Sequence, residues 1–201
     1  MQRITSLSDY FKKYEQSVKD PEKFWAEIAD TFIWKKKWDK VLDWDFDSVD
    51  IKWFKNAKLN ITENILEKNL IDRADKTAII WEPNDPTEPS IHLTYKELYE
   101  ETCKFSNALR EKGIKKGDRV IIYMPMVPEA AIAMLACARV GAVHSVVFAG
   151  FSSTSLADRI NDCQAKMVLT SDGNFRGNKT IPVKPVVDEA LEKCKTIESV
   201  I

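Results

Sequence analysis

Two cations stand three residues apart in the segment 173–179, directly after an apolar run with strand character. Arg176 and Lys179 flank Gly177 and Asn178. A guanidinium binds a phosphate through two parallel hydrogen bonds, an ammonium adds a mobile point charge, and glycine leaves the space between them open. On spacing alone, this loop fits a phosphate-binding site and an ordinary solvated surface loop equally well.

A second candidate position is Gly150, which separates the strand-like run 142–148 from a helix-like run starting near Ser152. Glycine lets the backbone approach a ligand closely, and the free amides at a helix start attract anions. The alternative is structural, with Gly150 making the turn and Ser152 or Ser153 capping the helix. The sequence contains no GxGxxG or GxxxxGK[ST] pattern that would favour phosphate binding.

Other reactive residue types form no set that predicts catalysis. His144 lies among apolar residues in a strand pattern and Cys137 in an apolar helix pattern, and both placements are typical of a core. The four cysteines form no CxxC pair and lack flanking histidines, as is typical of reduced thiols. We therefore assign no catalytic residue and no metal ligand.

The elements that must position the candidate residues alternate between strand and helix patterns from Thr77 onward. TAIIWE and IHLTY predict a hairpin, and Thr94-x-x-Glu97 is a capping box that opens a helix ending near Gly113. Continuous apolar strands separated by helices then predict an α/β fold, part of a doubly wound, largely parallel sheet with helices on both faces. Ligands bind at the carboxyl ends of such strands, where both candidate positions are expected.

The amino-terminal part differs in composition from the rest of the chain, which suggests a separate segment. Five of the 6 tryptophans lie at or before Trp53, and all 6 glycines lie at or after Gly113. Asp20-Pro21 predicts a helix start. Asn60-x-x-Glu63 predicts another, which carries apolar residues on one side, namely Ile61, Ile65 and Leu70.

Between those helices lies the stretch WKKKWDKVLDWDFDSVDIKWF. It is interpreted as an irregular arm whose aromatic side chains dock on a larger body. The alternative is an aromatic–cation surface for single-stranded nucleic acid, which the neighbouring acidic residues disfavour because they repel phosphates. We predict a helical and irregular extension over 1–66 and the first part of a larger domain over 67–201.

The amino-acid composition argues against two classes of binding partner, nucleic acids and membranes. The chain has 201 residues, 30 basic and 31 acidic, with a net charge of −1. This balance provides no basic field for nucleic acid and no polybasic membrane patch. No run reaches the roughly 18 apolar residues of a membrane helix, and the amino terminus lacks the apolar core of a signal peptide. A cytoplasmic protein without nucleic-acid or membrane partners is predicted.

Five segments of the chain together carry a specific resemblance to a known family. They are DPEKFWAEIAD, IKWF, LNITENILEKNLIDRADKTAIIWEP, KKGDRV and YMPMVPEAAIAMLACARVGAVHSVVFAGFSSTSLADRI. These segments resemble the AMP-forming acetyl-CoA synthetases, part of the adenylate-forming acyl-CoA synthetase superfamily. The resemblance implies a ligase that activates acetate with ATP and Mg²⁺ to an acetyl-adenylate, releases pyrophosphate, and transfers the acetyl group to coenzyme A.

The resemblance also implies roles for the candidate residues. The segment RGNK corresponds to a family loop of the form Arg-Gly-Gly-Lys, in which Arg176 and Lys179 would meet the coenzyme A phosphates with Gly177 and Asn178 between them. Asn178 stands where glycine is commoner. Gly150 falls in a family Phe-Gly-Gly segment beside the adenine of coenzyme A, with Ala149 replacing the first of those glycines.

The family's ATP-phosphate loop, adenine and magnesium motifs, acetate pocket and catalytic lysine are not found in the sequence. We therefore expect an amino-terminal portion, truncated relative to the family's large domain, which is inactive alone and prone to self-association. The alternatives are a propionyl-CoA or other short-chain acyl-CoA synthetase, and a non-catalytic nucleotide-binding or interaction module that reuses the fold.

Overall fold

The computed structural model describes residues 4–201, which form two compact groups. The first group ends at Asn64 and the second spans Ile65–Ile201. None of the helices in this described range combines the length and the apolar character that crossing a bilayer requires.

The first group begins with two helices, α1 over Leu7–Lys19 and α2 over Pro21–Ala29. The Asp20 carboxylate accepts a hydrogen bond from the Lys23 amide, which would otherwise lack a partner at the start of α2. Pro21 occupies the first turn, where a missing amide hydrogen has no cost. The predicted helix start is confirmed.

The aromatic stretch that follows is a hairpin, so the prediction of an irregular arm is wrong there. Strand β1, Lys40–Asp45, pairs antiparallel with β2, Asp50–Lys55. Leu42 lies opposite Trp53, and Asp43 lies opposite Lys52. Because successive side chains on a strand alternate between its two faces, Leu42, Trp44, Ile51 and Trp53 share one face with the Lys40–Lys55 pair, and Asp43 and Lys52 lie on the other. The aromatic and charged residues of this hairpin therefore do not separate cleanly between its two faces.

The next helical segment begins with a π-helical turn, Glu63–Glu67, and continues as α3, Lys68–Arg73. The prediction that Ile61, Ile65 and Leu70 form its apolar side is wrong for the first two, which are exposed, while Leu70 is half-buried. The fully buried residues are Thr62 and Leu66. A π-helical turn holds more residues than an α-helical turn, so the side chains from Glu63 onward are out of phase with an ideal α-helix.

The second group opens with the predicted hairpin of β3, Thr77–Trp81, and β4, Ile91–Thr94. Helix α4, Tyr95–Glu111, follows with a complete capping box. In it the Thr94 hydroxyl accepts from the Glu97 amide, and the Glu97 carboxylate accepts from the Thr94 amide. The predicted hairpin and capped helix are both confirmed.

A four-stranded parallel sheet forms the centre of the second group, with strand order β10-β7-β5-β6. Its strands are β5, Arg119–Tyr123; β6, Val143–Val146; β7, Met167–Thr170; and β10, Ser199–Val200. Two further strands, β8 over Gly173–Arg176 and β9 over Lys179–Pro182, lie outside this sheet.

Helices cover both faces of the sheet, as the sequence predicts. The connecting helices are α5, Pro128–Val140; α6, Ser153–Cys163; and α7, Lys184–Leu191. Residues of α6 and α7 pack against Ile121 and Val168 on one face. Residues of α4 and α5 pack against Val120 and Ile122 on the other. Successive side chains of β5 therefore point to opposite faces of the sheet and pack into two separate apolar layers.

Candidate anion-binding site

The carboxyl ends of β5, β6 and β7 meet at one edge of the sheet, since these strands are parallel. Side chains tie this edge together. The Tyr123 hydroxyl, at the end of β5, donates to the carbonyl of Phe151, 2.7 Å away in the turn after β6. The Thr170 hydroxyl, at the end of β7, donates to the Tyr123 carbonyl at 3.0 Å. The turns that carry both candidate positions are thus mounted on the rigid sheet.

Arg176 and Lys179 are placed by a short hairpin, whereas the sequence treats the segment as one loop. Strands β8 and β9 pair antiparallel, and Gly177 and Asn178 form the two-residue connection. Gly177 has φ of +59°. A positive φ at the first connecting residue is what a type II′ hairpin turn needs, and glycine adopts it without steric cost.

The base of the hairpin is held by Asp172, which directly precedes β8 and follows the end of β7 by two residues. Its carbonyl accepts from the Val183 amide at 3.0 Å, and its carboxylate accepts from the Gly173 amide at 2.7 Å. Val183 is buried. The hairpin is therefore anchored at its base and projects its turn into solvent.

In this hairpin Arg176 lies directly opposite Lys179. Side chains that face each other across an antiparallel pair project from the same face, with Cβ atoms about 5 Å apart. Both residues are exposed, and neither makes an ion pair with any residue in the described range 4–201. Two like charges held side by side repel each other, so the arrangement favours an anion that bridges them.

Gly150 lies in the turn between β6 and α6. A Cβ atom built at Gly150 would stand 2.5 Å from Cε1 of Phe148, so close approach of this ring requires glycine. The Ser152 hydroxyl accepts from the Ser155 amide, so the capping role considered for it is present. No hydrogen bond within the described part of the chain joins Gly150 to the β8–β9 hairpin. The two candidate positions share an edge of the sheet but stand on separate turns.

Asn84 is a residue at this edge that sequence reasoning missed. It lies in the exposed loop between β3 and β4. Its Nδ2 donates to the Gly177 carbonyl at 2.8 Å, and its Oδ1 accepts from the Gly177 amide at 3.2 Å. The sequence shows only a turn-forming Pro-Asn-Asp-Pro run, which carries no sign of a partner so far along the chain.

The remaining reactive side chains, the cysteines and His144, do not form part of the candidate anion site. Burial raises the pKa of the Cys137 thiol to about 12 and lowers the pKa of the half-buried His144. All four cysteines are free thiols. Within residues 4–201 no three side chains of the His, Cys, Asp or Glu types cluster as metal ligands would.

Comparison with known proteins decides the family. The family model described as AMP-binding enzyme matches residues 66–201, which is more than half of the chain. The chain belongs to the AMP-binding enzyme family. A second model, described as the acetyl-coenzyme A synthetase N-terminus, matches residues 10–65.

Individual relatives of this AMP-binding family chain are acetyl-coenzyme A synthetases, in agreement with the second family model. An acetyl-coenzyme A synthetase of Syntrophobacter fumaroxidans is 54% identical over 193 residues, covering 96% of this chain and 30% of the relative. One from Bradyrhizobium diazoefficiens is 52% identical over 194 residues, with the same coverage of 96% and 30%. The chain thus spans about 30% of the length of these curated relatives. The resemblance to the amino-terminal portion of acetyl-CoA synthetases is confirmed.

A solved structure supports the same fold for the AMP-binding family chain. An acetoacetyl-CoA synthetase from Streptomyces lividans superimposes with a TM-score of 0.84 at 27% sequence identity. The match covers 92% of this chain and 28% of the other. The predicted α/β architecture is confirmed by this agreement as well as by the sheet itself.

Proposed function

We propose that this chain is the amino-terminal portion of an enzyme that converts acetate, ATP and coenzyme A to acetyl-CoA, AMP and pyrophosphate through an acetyl-adenylate. Within that enzyme, the β8–β9 hairpin supplies contacts to the phosphates of coenzyme A. The observation that carries the site assignment is the cross-strand pairing of Arg176 with Lys179. Family membership supplies the reaction class.

The two cations suit a phosphate in different ways. The guanidinium of Arg176 offers a planar pair of donors that matches two phosphate oxygens, whereas the ammonium of Lys179 acts as a point charge on a flexible stem. Gly177 and Asn178 carry the chain across the turn between them. Gly177 has no side chain, so the phosphate can approach the tip of the hairpin.

Gly150 is proposed to lie beside the adenine of coenzyme A. It is exposed in the turn after β6, next to Phe148, which is 69% exposed. An exposed aromatic ring beside a position without a side chain offers a base a surface to stack on.

We assign no catalytic residue to this chain. The described residues 4–201 hold no cluster of three His, Cys, Asp or Glu side chains suited to a metal. We propose that Mg²⁺ and the ATP phosphates are bound by other parts of the enzyme. We also keep as a proposal the division into an extension, 1–66, and the first part of the adenylate-forming large domain, 67–201.

The test compares the two half-reactions in the full-length protein. We expect Arg176→Ala to raise the KM for coenzyme A roughly tenfold or more, because a charge-assisted contact is lost. Acetate-dependent exchange between ATP and pyrophosphate should hardly change. Lys179→Ala should raise the KM for coenzyme A less than Arg176→Ala does. If the two residues bind the 3′-phosphate, both increases in KM should be smaller when dephospho-coenzyme A is the substrate.

The matched control is Lys112→Ala, which removes an exposed charge from the loop before β5, near the opposite edge of the sheet. It should leave the KM for coenzyme A unchanged. An unchanged KM in Arg176→Ala, or an equal loss in adenylation, would contradict the phosphate assignment. Exchange that prefers propionate over acetate would assign the acyl substrate differently, and no exchange at all would favour a non-catalytic module.

A further inference from the structure

Asn84 and Gly177 are joined by two hydrogen bonds although 93 residues separate them. The amide group of Asn84 is a donor on one side and an acceptor on the other, and it meets both backbone polar groups of Gly177. Asn84 lies in the exposed loop after β3, so this contact links the hairpin turn to a second, independent hairpin.

These bonds fall on the residue that determines the turn. Gly177 alone provides the positive φ that reverses the chain between Arg176 and Lys179. Glycine is also the residue with the most conformational freedom, so the turn has the most to gain from external restraint. With its amide and its carbonyl both engaged by Asn84, Gly177 has no free backbone donor to offer a phosphate.

We propose that Asn84 is a positioning residue for the anion site. By fixing Gly177, it holds the turn in the form that sets the Arg176 and Lys179 side chains on one face before any ligand arrives. Preorganisation of this kind strengthens binding because less conformational entropy is lost when the ligand binds. The inference rests on the proposed function, in which the anion is a phosphate of coenzyme A.

The experiment uses Asn84→Ala in the full-length protein. We expect the KM for coenzyme A to rise about threefold to tenfold, the range that the loss of one or two ordinary hydrogen bonds produces. The KM for ATP and the rate of adenylation should not change. Hydrogen exchange of the Gly177 amide should become faster, which reports the broken contact directly.

Thr87→Ala is the matched control, since it removes a side-chain hydrogen bond of 2.7 Å to Asp85 within the same loop and touches no atom of Gly177. It should leave both the KM for coenzyme A and the exchange of the Gly177 amide unchanged. An equal rise in KM from Thr87→Ala would mean that the loop acts as a whole, and would contradict a specific role for Asn84.

A double-mutant cycle separates this inference from the proposed function. If Asn84 acts through Arg176, then Asn84→Ala should cost clearly less in the Arg176→Ala background than in the wild type. Equal losses in both backgrounds would overturn the positioning role. If Arg176→Ala weakens coenzyme A binding while Asn84→Ala does not, the inference fails and the proposed function stands. If Arg176→Ala has no effect, both fail.

Discussion

Asp118 and Lys166 form an ion pair at 2.9 Å that joins the start of β5 to the start of β7. Asp118 is nearly buried, and its carboxylate also accepts from the Lys115 amide at 2.8 Å. The hydrogen bond from Lys166, followed by that from Lys115, lowers the pKa of Asp118. The two central strands are therefore fastened at the edge opposite the anion site.

This pair predicts a loss of stability in acid. A carboxyl group whose pKa is lower in the folded state stabilises the fold above its unfolded pKa of about 3.9, and the benefit is lost as the pH falls through the folded value. We expect Asp118→Asn to lower the melting temperature by about 2–4 °C at pH 7. Below the folded pKa the variant and the wild type should melt alike. A difference that persists undiminished at the lowest pH would contradict the assignment.

Burial of Cys137 predicts an unreactive thiol. With a pKa of about 12, roughly one thiol in ten thousand is ionised at pH 8, and only the thiolate attacks alkylating agents. Iodoacetamide should therefore leave Cys137 unmodified in the native protein and label it in denaturant, as followed by peptide mass spectrometry. Cys103, which is only half-buried, serves as the internal comparison. Labelling of both residues at the same native rate would be inconsistent with this burial.

The capping box of α4 should make a measurable contribution to the free energy of unfolding. Thr94→Ala removes the acceptor for the Glu97 amide, and losing such a cap costs about 1 kcal/mol of unfolding free energy. Thr94→Ser keeps the hydroxyl and should cost much less. Equal destabilisation by alanine and serine in urea titrations would show that the methyl group, and not the cap, matters.

Alanine substitutions at Gly150 and Gly113 distinguish the effect of a steric clash from the effect of a strained backbone dihedral angle. In Gly150→Ala the new methyl group must displace the exposed ring of Phe148, so the melting temperature should change little, while the KM for coenzyme A rises if adenine binds there. Gly113→Ala is the contrasting control. Its Cβ would meet open space, but its φ of +85° is strained for alanine, so it should lose stability and leave that KM unchanged.

The sheet could be predicted because its signals are local. Apolar runs such as that of β5, and the Thr94 and Asp20 caps, each lie within a few residues of sequence. The β1–β2 hairpin was missed because adjacent apolar residues, Val41 with Leu42 and Trp53 with Phe54, interrupt the alternation that marks a half-exposed strand. The contact of Asn84 with Gly177 could not be predicted, since a side chain that bonds to distant backbone leaves no periodic pattern.

The uneven placement of the tryptophans makes intrinsic fluorescence a selective probe. Trp25, Trp34, Trp38, Trp44 and Trp53 lie in the group that ends at Asn64, whereas Trp81, whose Nε1 donates to the Met126 carbonyl at 2.7 Å, belongs to the second group. Emission from the native protein thus comes mostly from the group that ends at Asn64. In Trp81→Phe the emission would follow the first group exclusively, while circular dichroism would still record melting of the parallel sheet and its helices. A single titration read by both signals would then separate the unfolding of the two groups.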